Sequence, residues 1–531
     1  MLTLDPPASL GLPDKFEAWR PLQIRAITDG VASTRRYTAQ NLGTGVGKSA
    51  ANVLQAMLTG RAVYNTATRA LQKQALDDFE SIGMVDMRGR GNYTCAYGRS
   101  GNVTCEDGVH LGCRAHKEGA CDYVNALNMA KGASLVVTNY AYWIAVNKHG
   151  EGLGDVDMLI CDEADAAVEA VCNSMTVELT NRELHVLKAT PIPSQPAEMD
   201  AWRQWAADAL GRIETQLEQE TEALKRNPGN ADMLRSLKLT RALKQKISTL
   251  AESEGAWVVD SMRDYNANNA HSGYRFDPVW PTQYAEELLF CNVPRVLLTS
   301  ATMSRKTCRL LGIADADLAY FDYPPAFDPR RSPITWVRSG VRVDERMTQA
   351  DVRAWVSRND QIIRSRPRLK GIIHCTSYAR QKDFYAMSSE KRRLIWHNSW
   401  NTQAKIEEFK QMPEESGAVL ISPAVTAGYN FPAEQCRFQI IAKLPLLFRN
   451  SKIMKARQAE DADYCDYLEA QTFRQEVGRP VRADDDWCQT LVTDDHWAWW
   501  YPKMQRKGLL PASFCKQVTA PSDGIPHVLN Y

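Results

Sequence analysis

The chain has 531 residues, 44% hydrophobic and 24% charged, the composition of a globular protein with more than one core. At roughly 150 residues per domain this predicts three or four domains. With 64 Lys+Arg against 63 Asp+Glu, a globally basic nucleic-acid binder is excluded, and any basic surface has to be local.

No run of about 18 apolar residues occurs, so no membrane span is expected. The opening MLTLDPPASLGLPDKF lacks the basic-then-apolar order of a secretion signal, which makes the expected location cytoplasmic. Cysteines there stay reduced, and nine of the thirteen are scattered through apolar strings as core residues. The other four, Cys95, Cys105, Cys113 and Cys121, are clustered.

In chain order, the first feature is LGTGVGKS (Leu42–Ser49) ahead of a helix-compatible run. Gly43, Thr44, Gly45, Val46 and Gly47 let backbone N–H groups close around phosphates at a helix N-terminus. Lys48 neutralises phosphate charge and the Ser49 hydroxyl ligates magnesium. The strict pattern has Gly where this chain has Leu42. Short buried strands are predicted at Ala62–Thr66, Ser134–Thr138 and Asp157–Cys161, alternating with helix-forming residues as in a parallel α/β domain.

Between them, Met87–Asp122 is rich in Gly, Arg, Asn and Cys and has no hydrophobic period, so apolar packing cannot order it. Its four cysteines are separated by nine, seven and seven residues. Zinc ribbons use tight CxxC knuckles, and none occurs here. Wide spacing suits a 4Fe–4S cubane held at its corners. His110 and His116 are alternative ligands, though more simply surface residues. Arg88, Arg90 and Tyr93 in the same segment suit single-strand contacts; a solvated basic loop accounts for them equally well.

Asp162-Glu-Ala-Asp165 closes the strand Asp157–Cys161, where Asp162 is placed to bind magnesium and Glu163 to polarise an attacking water. From about Leu179 to Phe290 the pattern turns helical. A long hairpin is predicted, with Trp202, Trp205, Ala209, Ile213 and Leu217 on one run and Leu237, Leu243, Ile247 and Leu250 on the other. The break at Asn227–Asn230 separates the two, and the Trp stripe reads as packing. A strand returns at Val293–Thr299. A second α/β series starts near Ser332, with strands at Gly371–Cys375, Ala418–Ser422, Phe438–Ala442 and Thr490–Val492. In Gln475-Glu-Val-Gly-Arg479-Pro-Val-Arg482 the two arginines, three apart, are predicted on one helix face as arginine fingers.

Taken in order, these residues resemble the XPD/DinG family of iron–sulfur superfamily 2 DNA helicases. Arg20-Pro-Leu-Gln23 is similar to the adenine-side motif, with Gln23 reading the base and Gln475 also at the nucleotide. LGTGVGKS resembles motif I, Thr66–Gln74 (with Thr68 and Arg69 toward DNA) motif Ia, and DEAD motif II, although the family more often has His where this chain has Asp165. Thr299-Ser-Ala-Thr302 resembles motif III, Thr376-Ser377-Tyr378 motif IV, Ser422–Pro432 motif V and QEVGRPVR motif VI.

The resemblance implies an α/β fold of two tandem RecA-like parallel-sheet motor domains, the first carrying an iron–sulfur insertion and a helical arch. The expected layout is 1–86, 126–178 and 289–331 for the first motor domain, 87–125 for the cluster, 179–288 for the arch and 332–531 for the second motor domain. It further implies ATP and magnesium, a cluster on the four cysteines, and a monomeric motor moving 5′→3′ on single-stranded DNA and unwinding forked or tailed duplexes, with accessory proteins unspecified. A DNA-stimulated translocase without processive unwinding, or a zinc-stabilised RNA-binding ATPase, are the alternatives.

Overall fold

The computed structural model describes residues 4–95, 103–110, 113, 115, 119–150, 152–187, 192–227, 230–264, 269–423 and 429–529. Strands run in chain order as β1 (Tyr37–Asn41), β2 (Ala62–Thr66), β3 (Met84–Asp86), β4 (Leu135–Asn139) and β5 (Met158–Asp162). There follow β6 (Val177–Thr180), β7 (Trp257–Asp264) and β8 (Ala270–Pro278), then β9 (Arg295–Ser300) and β10 (Leu318–Asp322). The second half contributes β11 (Ile334–Trp336), β12 (Gly371–His374), β13 (Leu394–Ile395), β14 (Val419–Ser422), β15 (Phe438–Ile441) and β16 (Gln489–Val492).

Two parallel sheets result, ordered β10-β1-β9-β5-β2-β4-β3 and β11-β16-β15-β12-β14-β13. Parallel strands are covered by helices on both faces, so runs such as VLIS and FQII are buried at every position. Each expected strand lies within two residues of its sequence-predicted place. The strand β1 (YTAQN) was not expected, because it lacks an apolar run. It is nonetheless an interior strand between β10 and β9, and its buried Gln40 donates its amide to the Ala26 carbonyl at 2.7 Å.

The region between β5 and β9 differs from the all-helical expectation. Two long helices, Met199–Arg226 and Ala231–Ala251, are present, the second capped by Asn230, whose side chain accepts from Asp232 and Met233 N–H. They pack on an antiparallel sheet ordered β6-β8-β7. Trp202 meets Tyr274 and Phe276 of β8 at ring distances of 4.9 and 5.0 Å, so the Trp stripe is the core of this insertion. Strand β8 alternates Gly, Tyr, Arg and Phe rather than presenting a continuous apolar run, which is why a helical period alone was visible. Among the described residues no helix is long and apolar enough to cross a membrane.

The two parallel-sheet domains touch. Arg457, in the helix Lys452–Glu460, reaches Glu169 in the helix after DEAD at 2.5 Å and donates to the Val279 carbonyl. In the same helix Lys452 donates to the Val259 carbonyl of β7, so one helix of the second domain braces both the first domain and its insertion.

Candidate nucleotide cleft and cysteine cluster

A cleft of about 530 Å³ opens between the domains, lined by Lys48, Asp162 and Glu163 from one side and Gln475, Arg479 and Arg482 from the other. On the first side, the turn from β1 into the helix Lys48–Thr59 passes through Gly45 (φ +77°) and Gly47 (φ +86°). Both need the left-handed region that glycine alone adopts without cost. A side chain at Gly45 would run into the Val481–Arg482 backbone and Phe327. Leu42, where the strict pattern has Gly, is fully buried in a cluster with Ala26, Val46 and Tyr323 and anchors the loop from below. Gly43 has open space at its Cβ position, while Thr44 lies against Gly478 of the second domain.

Lys48 donates to Glu163 Oε1 at 3.1 Å. Glu163 adopts φ +49°, a left-handed conformation uncommon for this residue, directly after β5. Burial pushes its carboxyl up, but Lys48 outweighs this and holds it below the usual range. Burial raises Asp162 to about 6 against the pull of Lys48. Thr299 bonds Asp162 Oδ1 at 3.3 Å, and the Tyr64 hydroxyl meets Asn52, Ser49 and Asp162, which sets both expected magnesium ligands around one point. Two hard oxygen donors beside a phosphate loop fit magnesium. Gln23 donates to the Gly47 carbonyl at 2.9 Å and accepts from Arg20 N–H at 2.8 Å, bracing the loop from the first-domain side.

The fourth residue of DEAD is the pivot of the cleft. Asp165 receives Ser300 at 2.6 Å, Thr302 and, from the other domain, Gln475 at 3.4 Å. Gln471 and Arg474 donate to the Thr302 and Ala301 carbonyls. TSAT therefore bridges DEAD to the helix Tyr464–Val477 through hydrogen bonds. That bridge, Tyr140 on the Asp162 carbonyl, and Asn52 on Thr299 were not identified from the sequence. Their only signal was order along the chain.

The helix Tyr464–Val477 stops before Arg479, so the two arginines do not share a helix face as expected. Gly478 ends the helix and Pro480 prevents its continuation, leaving Arg479 and Arg482 on the following loop. Arg479 donates to the Tyr429 carbonyl at 3.0 Å and Arg482 to Asn430 Oδ1 at 2.7 Å. Each retains a buried Nε without a partner, and burial lowers both to about 10. Guanidinium groups with spare donors lining the cleft suit an anion.

In the insertion, Cys95 and Cys113 sulfurs lie 3.7 Å apart and those of Cys105 and Cys121 3.9 Å apart. Three of the four are buried. Gly108 has no side chain because the Cys95 sulfur occupies its Cβ direction, and Arg90 donates to Cys105 Sγ at 3.7 Å. Among the described residues, no three or more Cys, His, Asp or Glu side chains converge as a single metal ion requires. Four soft donors equal the number a cubane takes, but a cubane holds one thiolate at each of four separated corners, wider apart than these two pairs. The imidazole placements of His110 and His116 lie outside what is described.

Residues 361–509 match the family model of the helicase C-terminal domain. A solved structure described as an XPD helicase superposes with a TM-score of 0.61 at 13% identity, covering 95% of this chain and 99% of that one. The S. tokodaii Xpd4 structure gives 0.56 at 12%, over 94% and 100%. The chain shares the fold of these XPD structures. No curated protein matches it by sequence.

The residues expected to face a strand fall in two groups. Thr68 caps the helix Arg69–Phe79 through the Leu71 N–H, with Arg69 exposed in its first turn. Ser377 caps the helix Tyr378–Met387 through Arg380 N–H, and Thr376 before it sits at φ +57° with its buried hydroxyl unpartnered. A β-branched residue in that region is strained by about 1–3 kcal/mol. Arg88, Arg90 and Tyr93 are instead engaged within the insertion: Arg88 pairs with Asp86 at 2.7 Å, Arg90 lies over the Tyr123 ring at 4.1 Å, and Tyr93 meets Tyr123 at 5.6 Å. Residues 424–428 of the motif V resemblance lie outside the described residues.

Proposed function

We propose that the chain is an ATP-dependent DNA helicase that moves 5′→3′ along a single strand and opens duplexes ahead of it. The observation that carries the motor reading is the single cleft in which Lys48, Asp162 and Glu163 face Gln475, Arg479 and Arg482. DNA as the track, the polarity and the unwinding rest on the motif resemblance and on likeness to XPD structures.

ATP would be gripped by the Gly43–Gly47 backbone, with Lys48 on the terminal phosphates. Its magnesium, held by Ser49 and Asp162, would neutralise phosphate charge. A terminal phosphate competes with Glu163 for Lys48, which frees the Glu163 carboxylate to orient and deprotonate the attacking water. Arg479 and Arg482, already stripped of water, would turn their spare N–H groups to the charge developing on the transferred phosphoryl group. Loss of that phosphate would loosen the Gln475–Asp165–Thr302 bridge and let the domains shift by one step. Gln23, beside Gly47, would meet the base.

Cys95, Cys105, Cys113 and Cys121 would hold a 4Fe–4S cluster, which supplies the crosslink that a segment without an apolar core lacks. The test is ATP hydrolysis with and without single-stranded DNA. Wild-type protein should be stimulated, and Lys48→Ala should lose at least about 100-fold in kcat while still binding DNA; hydrolysis retained by Lys48→Ala would refute the cleft.

A further inference from the structure

We propose that Trp400, with Trp396 and Tyr378, forms a stacking platform for unpaired bases on the second motor domain; this rests on reading the chain as a single-strand motor. Trp143, Trp202, Trp355 and Trp500 are fully buried, whereas Trp400 is 94% exposed, Trp396 46% and Tyr378 41%. One exposed apolar side chain needs no explanation, but three large aromatics beyond the ends of neighbouring strands do.

Their placement follows from the sheet. Strands β12, β14 and β13 are adjacent and parallel, so the segments after their carboxyl ends lie side by side. Tyr378 follows β12 and the strained Thr376, while Trp396 and Trp400 follow β13. The carboxyl edge of such a sheet is where ligands bind. Contacts tie these loops together: the Tyr378 and His397 rings are 5.8 Å apart, and His397 Nε2 bonds Ser422 Oγ, at the end of β14, at 2.8 Å.

The Trp400 ring is presented by a built turn. Asn398 Oδ1 accepts from the N–H groups of Trp400 and Asn401 at 2.9 and 3.0 Å, and Asn401 Oδ1 accepts from Asn398 N–H at 2.8 Å. Thr402 closes it on the Asn398 carbonyl at 2.8 Å. With its backbone held by the turn, Trp400 has only its side-chain torsions to order on meeting a flat partner. Every base offers a π-face, and exposed Asn398 and Ser399 offer hydrogen bonds to sugar and phosphate.

The platform also connects to the cleft. Gln403, on the helix after Trp400, receives the Tyr429 hydroxyl at 3.1 Å, and the Tyr429 carbonyl receives Arg479. A base stacked here bears on the same segment as the arginine at the phosphate.

The test is fluorescence anisotropy of a labelled oligothymidine of about 20 nucleotides, titrated over several salt concentrations. Trp400→Ala should weaken binding about 5- to 100-fold, and Trp400→Phe should restore most of it. The slope of log affinity against log salt should not change, because no phosphate contact is lost. ATP hydrolysis without DNA should stay at the wild-type rate, while half-stimulation moves to higher DNA concentration. Wild-type affinity in Trp400→Ala would overturn the platform and leave the single-strand reading intact, assigning the patch to a protein partner. A shallower salt slope in Trp400→Ala would replace stacking by a phosphate contact and overturn it equally. A wild-type protein that neither binds the strand nor is stimulated by it would sink both readings.

Discussion

Glu476 sits one turn of sequence before Arg479, fully enclosed, with Oε2 unpartnered. Burial pushes its carboxyl up to about 8, against the pull of Arg479. The folded protein therefore binds a proton there that the unfolded chain, titrating near 4.3, releases. Stability consequently falls as pH rises through that window, and the loss is complete only above about pH 8. Glu476→Gln keeps the shape and removes the titration. Its urea midpoint should decline less than that of the wild type between about pH 6 and pH 9; parallel declines would place the proton elsewhere. The residues legible in the sequence here, Lys48, Asp162 and Glu163, were legible because their chemistry demands a type and an order. Glu476 and Tyr140 were not, because burial and a hydroxyl aimed at one carbonyl leave no pattern along the chain.

Among the elements, the helix Lys452–Glu460 shows how tertiary contact settles what periodicity cannot. Arg457 is 4% exposed and its partner Glu169 lies on the helix following DEAD, so hydrolysis and domain docking share a segment. Glu169→Ala leaves a buried guanidinium without its carboxylate, beside the Val279 carbonyl, Tyr464, Cys172 and the Trp280 ring. A loss of about 2 kcal/mol in chemical denaturation is expected, and an unchanged midpoint would mean that the pair adds nothing. The cysteine segment makes the complementary point. It packs few apolar side chains, and Cys113→Ser should bleach absorbance near about 400 nm and abolish unwinding while ATP hydrolysis persists. Colour and unwinding both retained would show the ligand set to be wrong.

Strands β2, β5, β9, β12, β14, β15 and β16 were readable because buried parallel strands are continuous apolar runs. The polar β1 and the hairpin of β7 and β8 were not, since their burial comes from neighbours. Three-residue spacing suggests a helix through Arg479 and Arg482, but Gly478 and Pro480 end it and put both arginines on a loop.

For the whole molecule, the two parallel sheets, the inserted helix pair with its antiparallel sheet, and the cleft between the two parallel-sheet domains form the architecture of the XPD structures it resembles. The near-zero net charge implies that strand affinity is concentrated in local surfaces rather than in a general field. The most direct measurement is strand displacement by anaerobically purified protein on duplexes carrying a 5′ or a 3′ single-stranded tail, with ATP and magnesium. The account predicts displacement from the 5′ tail alone. Displacement from the 3′ tail would contradict its polarity, and hydrolysis without displacement from either tail would make the chain a translocase rather than a helicase.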